Sequence, residues 1–84
     1  MDESKGNDME KLTLYYLPSC PYCQKVLQFM DNHQIDIELK DTSRPDNKSY
    51  LLENGKKGQV PCLFIDNQPL YESNDIISYL GKRF

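Results

Sequence analysis

The stretch Leu12 to Met30, LTLYYLPSCPYCQKVLQFM, decides the fold. Leu12 to Leu17 form an apolar, β-prone run that stops at Pro18, and from Pro21 to His33 the side chains of Val26, Phe29, Met30 and His33 recur at helical spacing. That predicts a strand, a short loop and a helix. The loop ends in SCPYC, so a helix starting at Pro21 has Cys20 at its N-cap and Cys23 about one turn inside. Unpaired backbone N–H groups and the helix dipole both favour a thiolate on Cys20, which is the expected nucleophile. Pro21 suits the first helical position, where its missing N–H has no intrahelical acceptor to lose. Lys25, on the first turn, either adds a little positive potential or is simply a solvated helix residue, and the second is expected.

Downstream, IDIEL (Ile35 to Leu39) alternates apolar and acidic residues, as a half-buried strand does. PDNKSYLLENG carries Pro45 near a helix start, Leu51 and Leu52 inside, and Gly55 as a stop. VPCLFID reads as a buried strand, Asn67-Gln68 as a turn, and Pro69 to Tyr71 as the return strand of an antiparallel hairpin. Ser73 can cap a last helix with Ile76, Ile77 and Leu80 facing inward and Gly81 ending it. The order β-α-β-α-β-β-α predicts an α/β fold. A parallel pair joined by a crossover helix and an antiparallel hairpin make a mixed four-stranded sheet flanked by helices.

An 84-residue chain has room for one domain, here residues 12–84 after a polar tail over 1–11. With 27% charged and 38% hydrophobic residues it has the composition of a globular protein. A net charge of -3 with scattered basic residues gives no footprint for nucleic acid and no polybasic membrane patch. No apolar segment approaches a membrane span, and the N-terminal residues lack the pattern of a secretory signal. A cytoplasmic location, or a mature chain already trimmed, is expected, with a monomer as the default state.

Three cysteines cannot all pair within one chain, and in a reducing compartment Cys-x-x-Cys is more often reactive or metal-binding than structural. Zinc needs four ligands, and beyond the pair only Cys62 and His33 remain as soft ones, so no metal site is expected. A structural disulfide across two intervening residues would constrain the unfolded chain very little. Cys62, on an apolar strand, fits the role of a small buried hydrophobe. Gln59-Val60-Pro61 precedes that strand; Pro61 either punctuates the strand start or sits in a cis bond that turns the Val60 backbone toward the thiols. YESNDI (Tyr71 to Ile76) marks a helix start whose N–H groups suit a carboxylate, while Glu72 or Asp75 can accept from an ammonium.

CPYC after a first strand, QVP about forty residues on, and ESNDI at the last helix start together resemble the glutaredoxins of the thioredoxin fold, over nearly all of Leu12 to Leu80. The resemblance implies a cis Val60-Pro61 bond and glutathione as ligand and reducing co-substrate, with no other cofactor. It implies Cys20 as nucleophile, Cys23 as second thiol, and Tyr22 as a wall of the glutathione groove. Val60 would pair with the cysteinyl backbone of glutathione, while Ser73, Asn74 and Asp75 would hold its γ-glutamyl end. Gln59 stands where many members have threonine. Tyr71-Glu72 replaces a common Gly-Gly, and Glu72-Ser73 looks like the N-terminal domain of glutathione transferases, which adds Glu72 to the γ-glutamyl contacts. Many members also carry a lysine shortly before the first cysteine. Here Lys48 or Lys25 would have to meet the glycine carboxylate.

The activity so implied is reduction of protein-glutathione mixed disulfides and protein disulfides. Other readings are a thioredoxin-like reductase recharged by a flavoprotein, an iron-sulfur-binding glutaredoxin with glutathione as co-ligand, and a glutathione-binding module of a transferase-like protein.

Overall fold

The computed structural model describes residues 11–84. Leu12–Tyr16 (β1) leads through the dithiol loop into Pro21–Asn32 (α1); Glu38–Asp41 (β2), Pro45–Gly55 (α2), Cys62–Ile65 (β3), Gln68–Leu70 (β4) and Ser73–Arg83 (α3) follow. The expected β-α-β-α-β-β-α order is present. The sheet runs β2-β1-β3-β4, with β1 parallel to β2 and antiparallel to β3, and β3 antiparallel to β4. The first pair is parallel because α1 intervenes as a crossover, and the last is antiparallel because a two-residue turn joins it.

Side-chain alternation along β1 and β3 sends residues to two cores. Leu12, Leu14 and Leu63 meet Val26 and Met30 of α1 and Ile76 and Leu80 of α3 on one face. Tyr15, Cys62 and Phe64 meet Leu51 of α2 on the other. The central strands are therefore apolar at nearly every position, whereas β2, at an edge, carries Glu38 and Lys40 in an ion pair of 3.2 Å. Thr42 extends the β1–β2 pairing by donating both its N–H and its hydroxyl to the Tyr16 carbonyl, at 2.8 and 2.9 Å.

Several boundaries differ from expectation, each for a local reason. The second strand begins at Glu38 rather than Ile35, because Ile35 closes α1. Gln34 is left-handed at φ 54°, its N–H donates to the Asp31 carbonyl, and the Ile35 N–H donates to the Met30 carbonyl at 2.9 Å. That is a Schellman motif, and buried Ile35 packs in the same cluster as Met30. The hairpin turn is Asp66-Asn67 rather than Asn67-Gln68, with Asp66 at φ 59° and Gln68 paired to Ile65. Asp66 also donates its N–H to the Lys11 carbonyl while its carboxylate accepts the Lys11 N–H, so Lys11 is tied to the sheet. The remainder of the expected tail lies outside the described residues. Gly81 does not end α3, which continues to Arg83.

Candidate active site

The turn before α1 is closed by the Cys20 N–H, which donates to the Leu17 carbonyl at 3.0 Å, and Gln24 Nε2 donates back to the Pro18 carbonyl at 2.6 Å. Cys20 is the extended N-cap at φ -84° and ψ 123°, with Pro21 at the first helical position, as expected. Cys20 is partly exposed, whereas Cys23 is wholly buried and its sulfur accepts the Leu17 N–H at 3.4 Å. Both thiols are free.

Their environments separate them chemically. Partial burial pushes the Cys20 thiol up, but the N–H of Cys23, the Cys23 thiol and the N–H of Tyr22 donate toward its sulfur and together hold it below the ordinary cysteine value. Burial drives Cys23 up to about 11, and the bond it gives to Cys20 adds to that, against the opposing Leu17 N–H. Cys62 is also fully buried, and burial raises its thiol to about 11. Iodoacetamide alkylation followed by peptide mapping should therefore label Cys20 alone at neutral pH, with a rate that falls as pH drops through its lowered pKa. Labelling of Cys23 or Cys62 in the folded protein at neutral pH would contradict this assignment.

Beside the N-cap lies a groove of about 430 Å³ lined by Tyr22, Lys25, Gln59, Val60, Pro61, Glu72, Ser73 and Asn74. The three motifs separated in sequence thus converge on one concavity. Val60-Pro61 is cis, and neither the N–H nor the C=O of Val60 has a backbone partner among the described residues. Across from it, Glu72 rather than Ser73 is the N-cap of α3, at φ 72°, and buried Ser73 is the first helical residue. Ser73 therefore does not cap the helix with its side chain, which correlates with its place in the groove lining. Lys25 is more than a solvated residue: its ammonium donates to Asn74 Oδ1 at 2.7 Å, bridging α1 to α3 at the groove. Asp75 is exposed in the first turn of α3, and Lys48 is exposed on α2; neither is among the lining residues. Of the two lysines considered for a ligand carboxylate, Lys25 is the one on the groove.

Among the described residues no three His, Cys, Asp or Glu side chains gather as a metal site, and no helix is long and apolar enough to cross a membrane. A second concavity of about 350 Å³ lies over the opposite core, against Tyr15, Tyr50 and Phe64, and includes neither cysteine of the pair.

A mixed sheet in the order β2-β1-β3-β4, a dithiol at the first helix N-cap and a cis-proline before β3 define a thioredoxin-fold domain. The family model for the glutathione S-transferase N-terminal domain matches residues 14–84, and the chain belongs to that family. Among curated proteins it is similar to glutaredoxin 1 of Rickettsia prowazekii, 27% identical over 73 residues covering 83% of this chain and 77% of that one. It is also similar to prostaglandin E synthase 2 of Danio rerio, 33% identical over 82 residues, 93% of this chain but 21% of the relative. A glutathione S-transferase from Methylobacillus flagellatus, solved with glutathione bound, superposes with a TM-score of 0.73 at 26% identity, covering 88% of this chain and 37% of that one. A solved thioredoxin-like protein superposes with a TM-score of 0.70 at 23% identity and is covered over 96% of its length, which speaks to the fold. The chain thus spans most of the glutaredoxin and about a third of the transferase, and its identity is glutaredoxin-like.

Proposed function

We propose that this protein is a glutathione-dependent thiol-disulfide oxidoreductase that reduces protein-glutathione mixed disulfides and protein disulfides. The observation that carries the reading is the asymmetry of the pair: a partly exposed Cys20 with a lowered pKa, and a buried Cys23 held at about 11, one turn away. A nucleophile needs the first environment and a resolving thiol tolerates the second. The groove beside them joins a cis-proline backbone to a helix N-terminus, a combination suited to a short peptide with a carboxylate at its end.

In the proposed cycle the Cys20 thiolate attacks the glutathione sulfur of a mixed disulfide. The new Cys20–glutathione bond forms as the old disulfide breaks, and the protein thiolate leaves and takes up a proton. A second glutathione, as thiolate, attacks the adduct, forming oxidised glutathione and regenerating the Cys20 thiolate. With a protein disulfide, Cys20 forms the mixed disulfide with one sulfur and Cys23, after losing its proton, displaces that protein thiol, leaving Cys20–Cys23 oxidised. Two glutathione molecules then reduce that bond. The groove residues do the recognition: Val60 by its backbone, Ser73 and Asn74 at the start of α3, with Glu72, Tyr22, Gln59 and Lys25 around them; Asp75 and Lys48, off the lining, are not assigned a contact.

A coupled assay separates this reading from a flavoprotein-recharged reductase. NADPH oxidation is expected with glutathione and glutathione reductase, and turnover only with thioredoxin reductase would overturn the proposal. The second reading, a glutathione-binding module of a transferase-like protein, is favoured by the family match and by Glu72-Ser73 on the groove. Buried Cys23 beside Cys20 weighs against it, since conjugation needs only one activating group.

A further inference from the structure

Tyr71 does not line the groove, yet it touches both ends of the segment that does. Its hydroxyl donates to the carbonyl of Gly55, the last residue of α2, at 2.6 Å, and lies 3.1 Å from the Lys57 carbonyl. The Tyr71 side chain also packs against the core cluster that contains Cys62, just after the cis-proline. Between those anchors run Gln59, Val60 and Pro61, one wall of the groove. The other wall starts at Glu72, the next residue along the chain from Tyr71. One side chain therefore links the start of the α3 wall to both ends of the cis-proline wall, by hydrogen bonds at the Gly55–Lys57 end and by packing at the Cys62 end.

The surrounding residues are fitted to this contact. Lys56 turns the chain out of α2 at φ 69°, so Gly55, the expected helix stop, is not the left-handed residue. Gly55 is glycine for another reason: a Cβ there would run into the Tyr71 hydroxyl and come within 3.1 Å of Leu51 Cδ1. Lys57 places its ammonium 4.6 Å from the centre of the Tyr71 ring, adding a cation–π contact at the same end. The hydroxyl is shared by two carbonyls for which no other protein donor is found among the described residues, so it links the end of α2 to the segment that follows it.

We propose that Tyr71 is a positioning residue that sets the separation of the two groove walls, and through them the affinity for glutathione, a step that rests on the functional reading above. Tyr71→Phe keeps the ring and removes only the tie. Three measurements on the full chain test it: site-resolved amide hydrogen exchange, the glutathione dependence of turnover, and the pH profile of Cys20 alkylation. Tyr71→Phe is expected to speed exchange at Lys57 to Val60, raise the KM for glutathione about tenfold with kcat unchanged at saturation, and leave the alkylation profile in place. Gly55→Ala, which displaces the hydroxyl instead of deleting it, is expected to give the same pattern. Unchanged exchange at Lys57 to Val60 in both variants would overturn the proposal. So would a uniform rise in exchange across the sheet, since that marks a tie that merely holds the domain together. Should the unaltered protein show no glutathione dependence, the functional reading fails, while the exchange at Lys57 to Val60 still decides the role of Tyr71 in placing that wall.

Discussion

Cys20→Ser is expected to lower turnover of a glutathionylated peptide by about a thousandfold or more, because a serine hydroxyl is a poor nucleophile and a poor leaving group at neutral pH. Cys23→Ser is expected to keep most of that turnover. In the mixed-disulfide cycle the second thiol takes no part in bond exchange, and glutathione itself resolves the adduct. The Cys23 thiol does donate toward Cys20, so its serine variant, which retains a hydroxyl donor, should move the Cys20 pKa only slightly. Reduction of a protein disulfide by the same variant should fall much further, since Cys23 is the resolving thiol there. Steady-state rates with both substrates check all of this, and equal losses in the two variants on the glutathionylated peptide would sink the assignment of roles.

The second large effect concerns stability. Ile76 is fully buried where α3 meets the sheet, in the core shared with Val26, Leu14 and Leu63, and its N–H donates to the Glu72 carbonyl at 3.0 Å. Ile76→Ala leaves a cavity under the first turn of α3, at an expected loss of about 2–5 kcal/mol. Against a typical total of about 5–15 kcal/mol that is a large fraction, and it corresponds to a fall in Tm of roughly 10–30 °C for a domain of this size. Thermal unfolding by circular dichroism measures it. Ser78→Ala, at an exposed position of the same helix, is the control and should shift stability by less than about 0.5 kcal/mol. A drop of only a few degrees for Ile76→Ala would mean that α3 is not anchored through that core.

Much of this arrangement is legible in the chain itself. Strand β1 and helix α1 announce themselves by a change of period from apolar run to helical spacing, and Cys20, Pro21 and Cys23 fall at the N-cap, first position and first turn as local rules require. The convergence of Gln59 to Pro61 and Glu72 to Asn74 on one groove is legible only through resemblance, because it depends on strand order and not on any local signal. What sequence reasoning missed are contacts at a distance. Ile35 is drawn into the end of α1 by backbone bonds that an alternating pattern does not reveal. Gly55 looks like a helix stop, yet its smallness serves a tyrosine sixteen residues later. Glu72 at positive φ gives no compositional warning, since glycine or asparagine is the residue that usually marks such a conformation. The replacement of a common Gly-Gly by Tyr71-Glu72 was the available signal for Tyr71, and its meaning emerges only with the geometry.

The central claim is that Cys20 carries the glutathionyl group between substrate and glutathione. Its most direct test is to mix reduced Cys23→Ser protein with a glutathionylated peptide, quench with acid, and locate the adduct by peptide mass spectrometry. One glutathionyl group on the peptide containing Cys20, removed by added glutathione, is the predicted result; an adduct on Cys62, or none, would contradict the account.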